Sequence, residues 1–238
     1  MLVLAPSGCG KTTLIKCILG ETFYDGSVKC QGKRKVAYVS QESTVNDKET
    51  VYNAVYYTAR MDDKRTSGAE LRKKTEAMLQ ELGLCGVQKQ AIRDISGGQR
   101  RRLQIAEAMV RDSDVLLMDE PDSGLDAATS YILTKDVKKI VKKEGKKAII
   151  ISHNITKENL KLYDVILCMS KDENNVGTMA YYGRPCFLKE FFEQSSMLDI
   201  MLDLQTKSEG GRGFGNYYIQ RYKELSDTRK QHYRFDGR

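Results

Sequence analysis

The chain has 238 residues, enough for one large domain or two small ones whose core forms without disulfides or metals. Hydrophobic residues make up 40% and charged residues 30%, with 3 Pro against 19 Gly, and these proportions exclude a disordered or fibrous protein. The net charge of +7 favours contact with phosphates, nucleic acid or an acidic membrane face, but its sign does not choose among them.

Cysteine usage and hydropathy narrow the cellular setting. The 6 cysteines are scattered with no close pair, which favours a reduced cytosolic setting over a disulfide framework. With 2 His in the chain, we do not expect a zinc site. The longest apolar runs are strand-sized, far below the roughly 20 residues that a membrane helix needs, so we do not expect this chain to span a bilayer.

Short apolar runs predict strands that alternate with helices. Continuous runs of this length are typical of parallel strands that helices cover on both faces. The predicted strands are Leu2–Leu4, Val36–Val39, Val115–Asp119 and 148–152. The spacing of apolar residues predicts helices over 12–19, 51–61, 69–82, after Gly98 and over Ala127–Lys143.

The C-terminal third has a different pattern. A polar turn over 172–175, a strand around Tyr181 and Tyr182 and a short helix over 185–192 are predicted. Residues 209–215 are rich in glycine, and the rest is basic and aromatic. We therefore expect a domain over 1–205 and a basic linker or tail over 206–238, which either lies near a membrane face or is simply solvated.

A candidate phosphate-binding loop lies between the first strand and the first helix. Its sequence is Ala5-Pro6-Ser7-Gly8-Cys9-Gly10-Lys11-Thr12. Backbone N–H groups and the helix N-terminus can cradle a β-phosphate, Lys11 can reach the β- and γ-phosphates, and the Thr12 hydroxyl can ligate magnesium. The predicted nucleotide-binding residues are Ser7, Gly8, Cys9, Gly10, Lys11, Thr12 and Thr13. A chance Gly-rich turn is the alternative, and the flanking strand and helix disfavour it.

Ala5 stands where the loop pattern has its first glycine. If that position needs a positive φ, an alanine there costs on the order of 1–2 kcal/mol and weakens nucleotide binding. Gly8 and Gly10 lie nearer the phosphate contacts and are intact. We therefore expect binding to survive.

Two adjacent carboxylates end the strand Val115–Asp119. Successive strand residues point to opposite sides, so Asp119 and Glu120 should have different roles. Asp119 fits the support of magnesium, and Glu120 fits orienting and deprotonating the water that attacks the γ-phosphate. Such a pair is often only a turn, but after a phosphate loop we interpret it as functional.

These features indicate a P-loop nucleotide hydrolase, and further motifs indicate a family. Ser96-Gly97-Gly98-Gln99, just before the acidic strand, resembles the signature loop of ATP-binding cassette (ABC) proteins. Gln41 is similar to the Q-loop glutamine, 123–126 to the D-loop, and His153 to the switch histidine. The resemblance implies an α/β fold: a RecA-like parallel-sheet core with a helical subdomain over about 50–110, inserted between Q-loop and signature.

The resemblance also implies a role for each motif residue. Two nucleotide-binding domains of this family enclose two ATP molecules head to tail, so Ser96, Gly97, Gly98 and Gln99 would contact the ATP held by the other subunit. Mg²⁺ would be held by Thr12, Gln41 and Asp119. The catalytic residues would be Glu120, His153 and Gln41, and Asp126 would join the two sites.

Each of these assignments has a simpler alternative when it is taken alone. Gln41 could be a polar residue at a strand end, His153 a surface imidazole and Asp126 a helix N-cap. The ordered set of motifs favours the functional interpretation.

A finer resemblance is to the G subfamily, the white and pleiotropic-drug-resistance transporters. It rests on 50–54, on 122–126 with Asp122 in place of Thr, and on Tyr181-Tyr182-Gly183 followed by Phe191-Phe192. The chain has His153-Asn154-Ile155 where that subfamily usually has His-Gln-Pro, so the loop beyond the switch differs. The adenine-stacking aromatic of the family would lie upstream of this sequence, and we expect the domain to be incomplete at both ends.

The resemblance implies an ATP-binding and ATP-hydrolysing subunit or fragment of an ABC transporter, at the cytoplasmic face of a membrane. The implied partners are a second nucleotide-binding domain and a transmembrane domain in the same chain or a separate subunit, with no specific nucleic acid. Two alternatives stay open: a degenerate nucleotide-binding or regulatory ABC protein, and a soluble ABC ATPase that acts on ribosomes or nucleic acid.

Overall fold

The computed structural model describes residues 1–28, 35–41, 46–153, 155–225 and 233. The strands are β1 (Leu2–Leu4), β2 (Val36–Val39), β3 (Val115–Asp119), β4 (Lys147–Ile151), β5 (Ile166–Lys171) and β6 (Gly177–Gly183). The α-helices are α1 (Lys11–Leu19), α2 (Val51–Asp62), α3 (Gly68–Glu81), α4 (Gly97–Met109), α5 (Ala127–Lys143), α6 (Lys157–Leu160), α7 (Leu188–Phe192), α8 (Met197–Leu204) and α9 (Gly215–Glu224). The chain divides into two compact units, Met1–Val28 with Ile150–Arg238, and Lys29–Ile149.

The first unit is organised around β1, whose side chains are all buried. β1 runs parallel to the end of β4, with Val3 opposite Ile151, and parallel to β5, with Leu4 opposite Cys168. β6 is antiparallel to β5 and forms a hairpin with it. The sequence analysis missed β5, in which buried and half-buried residues alternate.

An aromatic cluster closes the C-terminal part of the first unit. The ring of Tyr181 on β6 lies 5.0 Å from that of Phe191 on α7, and the Tyr222 ring on α9 lies 5.9 Å from Phe191. Tyr218 and Ile219 on α9 are also buried. The segment predicted as a linker or tail over 206–238 therefore contains a packed helix, because its aromatic residues recur at helical spacing. Residues 226–232 and 234–238 of that segment lie outside the described residues.

The second unit pairs β2 with β3 in parallel, with Val39 opposite Met118. Helices α2, α3 and α4 follow β2, as predicted for the insertion between Q-loop and signature. Thr50 caps α2, since its hydroxyl accepts a hydrogen bond from Asn53 N–H, and Ser67 forms a capping box with Glu70 at the start of α3. Short polar segments with these cap residues therefore set where the two helices begin.

Candidate functional site

The predicted phosphate loop connects β1 to α1 in the first unit. Gly8 and Gly10 have φ of 70° and 81°, in the left-handed region that side chains rarely adopt, and Gly10 is the N-cap of α1. In the first turn of a helix the N–H groups, including those of Thr12 and Thr13, have no acceptor within the helix. Both threonines are exposed. The loop therefore presents N–H groups and hydroxyls where an anion would be favoured.

Lys11 folds back across this loop. Its Nζ donates hydrogen bonds to the carbonyl oxygens of Ala5 at 3.0 Å and of Pro6 at 2.9 Å. An ammonium that donates to neutral carbonyls can exchange these bonds for charge-assisted bonds to phosphate oxygens, which are stronger. The geometry fits a lysine that binds the phosphates of a nucleotide.

Ala5 is compatible with the loop as folded. Among the described non-glycine residues, positive φ occurs at Glu120, Asn175 and Glu193, so Ala5 avoids the left-handed region. Ala5 is also fully buried beside β1. The strain expected for an alanine with positive φ therefore does not arise here.

His153 belongs to the same unit as the phosphate loop. It follows β4 and is exposed. Because β1 and β4 are parallel with Val3 opposite Ile151, Ala5 and His153 leave the sheet at the same edge. Asn154, the first position of the predicted difference from the G subfamily, lies outside the described residues.

In the second unit, Gln41 and Glu120 are in contact. Gln41 Nε2 donates a hydrogen bond to Glu120 Oε2 at 3.2 Å, although the two residues are far apart in sequence. Glu120 has φ of 48°, in the left-handed region, which a non-glycine residue adopts only where its surroundings hold it. Gln41 thus fixes the carboxylate that the sequence predicts as the general base.

Arg101 holds the backbone on which this pair is built. Its guanidinium donates to the carbonyl oxygens of Asp119 at 2.9 Å and Glu120 at 2.7 Å. It also donates to the carbonyl oxygen of Ser40 at 2.8 Å, next to Gln41, and to that of Pro121 at 2.9 Å. Burial lowers the pKa of the Arg101 guanidinium, while the negative charges of Asp122, Asp119 and Glu120 act in the opposite direction.

Sequence reasoning missed Arg101, because it lies in a run of three arginines on a helix whose exposed face is expected to be charged. Arg101 precedes the buried Ile105 by four residues and so shares its face of α4, but an arginine is ordinarily expected to be exposed at such a position. Only the fold shows that this arginine points inward, with 7% of its surface exposed.

The signature residues lie at the start of α4. Ser96 is the N-cap: its hydroxyl accepts from Gln99 N–H at 3.2 Å, while Gln99 Oε1 accepts from Ser96 N–H at 2.9 Å. Gly97 and Gly98 form the first turn. A serine hydroxyl and glycine N–H groups at the N-terminus of a long helix suit a phosphate group.

A cleft of about 320 Å³ opens beside this helix start within the second unit. Gln41, Gly98, Arg101 and Ser123 are among its lining residues. It therefore brings together residues of the predicted Q-loop, signature and D-loop.

Asp126, predicted for the D-loop, is the N-cap of α5. Its Oδ1 accepts hydrogen bonds from Ala128 N–H at 3.0 Å and Thr129 N–H at 2.9 Å. The bond from the Thr129 hydroxyl, followed by that from the Thr129 N–H, lowers the pKa of the Asp126 carboxyl. The simpler structural role weighed for this residue is thus present, and the inter-subunit role stays a prediction.

The comparisons with known proteins bear on these residues. The sequence model described as "ABC transporter" matches residues 1–123, which include the phosphate loop, Gln41, the signature and both carboxylates. The fold and this match define a P-loop NTPase core, as predicted. The chain belongs to the ABC transporter family.

Curated relatives include import proteins and plant transporters. The chain is 31% identical over 211 residues to the spermidine/putrescine import ATP-binding protein PotA of Bacteroides thetaiotaomicron, covering 83% of this chain and 45% of that protein. It is 30% identical over 256 residues to ABC transporter G family member 1 of Arabidopsis thaliana, covering 97% of this chain and 34% of that protein. The chain thus spans less than half the length of these two relatives.

Solved structures share the fold. A structure described as a metal-chelate type ABC transporter in an inward-facing conformation matches with a TM-score of 0.64 and 21% identity, over 78% of this chain and 71% of that one. The structure of an RNase-L inhibitor matches with a TM-score of 0.58 and 22% identity, over 75% of this chain and 33% of that one. None of the helices in the described residues combines the length and the hydrophobicity of a membrane span.

Proposed function

We propose that the chain binds and hydrolyses ATP as the nucleotide-binding part of a membrane transporter. The observation that carries this proposal is the phosphate loop, in which Lys11 Nζ lies over the carbonyl oxygens of Ala5 and Pro6 at the start of α1. Two findings support the proposal: the chain belongs to the ABC transporter family, and its relative PotA is named as an import ATP-binding protein.

The residues present also suit Mg²⁺ as cofactor. A hydroxyl, an amide oxygen and a carboxylate are hard oxygen ligands of the kind this ion prefers, and Thr12, Gln41 and Asp119 supply them. When bound, the ion would neutralise charge that develops on the phosphate oxygens. Within the second unit, Gln41 keeps Glu120 oriented, and Glu120 is proposed to accept the proton of the attacking water.

We propose that the functional unit contains two nucleotide-binding domains. Ser96 and Gly98 stand at a helix start, and Gly98 lines an open cleft. Such a position suits contact with a phosphate brought by another subunit. His153 is proposed to contact the γ-phosphate, and Asp126 to lie near the contact between the subunits.

A transmembrane domain is the second proposed partner, and binding to it would hold this chain at the cytoplasmic face of a membrane. The alignment with the Arabidopsis G family protein extends over 97% of this chain, against 83% for PotA, and this favours the G subfamily. The buried Tyr181 and its contact with Phe191 are consistent with the motif on which that resemblance rests. We propose that this membrane domain belongs either to the same full-length chain or to a separate subunit.

The substitution Glu120→Gln tests the proposed chemistry. The amide keeps the size of the side chain and its contact with Gln41 but cannot accept a proton, so we expect ATP binding to persist while turnover falls about 10²–10³-fold. Glu76→Gln, at an exposed position of α3, is the matched control. Phosphate release and nucleotide titration measure the two effects. Undiminished hydrolysis by Glu120→Gln would contradict the role of Glu120.

A further inference from the structure

Lys171 lies beside the phosphate loop because of the strand register in the first unit. β1 and β5 are parallel with Leu4 opposite Cys168. After Leu4 the chain turns into the phosphate loop, whereas β5 continues to Lys171. The last residue of β5 therefore stands at the level of the loop, beyond the carboxyl end of β1.

The β5–β6 hairpin touches the loop from both of its strands. A Cβ added to Gly8 would lie 3.2 Å from Lys171 Nζ and 3.4 Å from Lys171 Cε, so the lysine side chain covers this glycine. A Cβ added to Gly177 on β6 would lie 2.0 Å from the carbonyl oxygen of Cys9, so the backbones are in direct contact there. Gly8, with φ of +70°, has no side chain of its own to anchor it.

Cys9 is enclosed by this contact. It is 1% exposed. Burial raises the pKa of its thiol, and the charges of Lys11 and then Lys171 oppose that shift. Two ammonium groups are therefore close to Cys9, one from the loop itself and one from β5.

Glu209 holds the ammonium of Lys171. Lys171 Nζ lies 2.6 Å from Glu209 Oε1, and the two side chains are 16% and 32% exposed, so the pair is partly shielded from water. Glu209 is itself fixed, because its Oε2 accepts from the Thr206 hydroxyl at 2.8 Å and its backbone oxygen accepts from Gln205 Nε2 at 2.6 Å.

We propose that Lys171 is a positioning residue of the phosphate loop, and that Glu209 keeps it over Gly8. The pair ties the segment after α8 to the loop, so that the loop N–H groups are already arranged before a phosphate arrives. This inference rests on the proposed nucleotide binding. Lys171 is distinct from Lys11, which lies within the loop and donates to its carbonyls.

Positioning and simple charge attraction predict opposite effects of Glu209→Gln. Removing the glutamate makes the surroundings of the loop more positive, so a purely electrostatic Lys171 would bind phosphates more tightly. A positioning Lys171 loses its anchor and the loop is less ordered, so binding weakens. The sign of the change separates the two roles.

The experiment measures Mg-ATP and ADP affinity of the 238-residue chain by titration, with variants at both positions. We expect Lys171→Met to weaken both nucleotides about tenfold, Lys171→Arg by no more than about threefold, and Glu209→Gln by about threefold. Lys207→Met, an exposed lysine on the same segment as Glu209, is the matched control and should leave both affinities unchanged. Unaltered affinity in Lys171→Met, or tighter binding by Glu209→Gln, would overturn the proposal.

Amide hydrogen exchange without nucleotide supplies a second readout. Exchange over residues 5–11 should accelerate in Lys171→Met and Glu209→Gln but not in Lys207→Met. If the unfolding temperature falls while loop exchange and affinity keep their parent values, the pair is merely structural and the inference is wrong. A parent chain that binds no nucleotide would refute the proposed function instead, and the exchange data would still decide whether Lys171 orders the loop.

Discussion

Replacing Arg101 with methionine should lower the free energy of unfolding by more than a substitution at an exposed position does. The guanidinium donates to backbone oxygens from both segments that carry the proposed catalytic pair, at Ser40 and at 119–121. A fifth bond goes to Gln104 Oε1 at 2.7 Å. Methionine fills a similar volume but donates none of these bonds, so the substitution tests the hydrogen bonds and not the packing.

The expected loss follows from what is left behind. Each buried acceptor that loses its donor costs about 1–3 kcal/mol, while removing a buried cation recovers part of its desolvation free energy. A net loss of about 3 kcal/mol in the free energy of unfolding results, which is a shift of roughly 10²-fold in the folding equilibrium. Because Glu120 depends on the same bonds for its left-handed backbone, turnover should fall even at temperatures where the variant is folded.

Urea unfolding followed by circular dichroism gives the free energy, and phosphate release gives turnover. Arg93→Met is the control, since Arg93 makes an exposed pair with Asp94 at 3.7 Å that should contribute under about 1 kcal/mol. An Arg101→Met variant as stable and as active as Arg93→Met would refute the reasoning.

Three further predictions concern other parts of the site. Gly177→Ala should weaken nucleotide binding and lower the unfolding temperature, because a Cβ would meet the Cys9 backbone. Gly86→Ala should do neither, because its Cβ would have no atom within 4 Å. Equal behaviour of the two variants in titration and calorimetry would contradict the contact. The pKa of Asp126 is lowered by hydrogen bonds from Thr129, so its stabilisation of α5 is present above its ordinary pKa near 3.8 and is lost as the pH falls through the lowered value. Asp126→Asn should reduce the acid dependence of urea unfolding, to which other carboxyls also contribute, and an unchanged dependence would exclude this cap as one of its sources. Mixing Ser96→Ala with Lys11→Ala should restore one composite site in an ATPase assay, and complete failure would argue against sites shared by two chains.

The strands of the core could be predicted because short continuous apolar runs are typical of parallel strands. Val36–Val39 and Val115–Asp119 form strands with the predicted bounds. α5 also has the predicted bounds, and Asp126 caps its start. The motif residues are recognisable as a set because their order along the chain is specific.

The rest depended on tertiary contacts that a linear pattern does not contain. α9 was predicted as part of a tail because the preceding glycines and the basic residues mask the spacing of Tyr218, Ile219 and Tyr222. β5 was missed because its half-buried positions carry residues of mixed polarity. The inward direction of Arg101 and the reach of Lys171 to Gly8 follow only from the packing around them.

Titration of the chain with Mg-ATP tests the central claim most directly. The account predicts saturable binding by the parent, at least about tenfold weaker binding by Lys11→Ala because charge-assisted bonds to the phosphates are lost, and parent-like binding by Lys16→Ala, an exposed lysine on the same helix. Equal affinity of the Lys11→Ala variant and the parent chain would show that this loop does not hold the nucleotide.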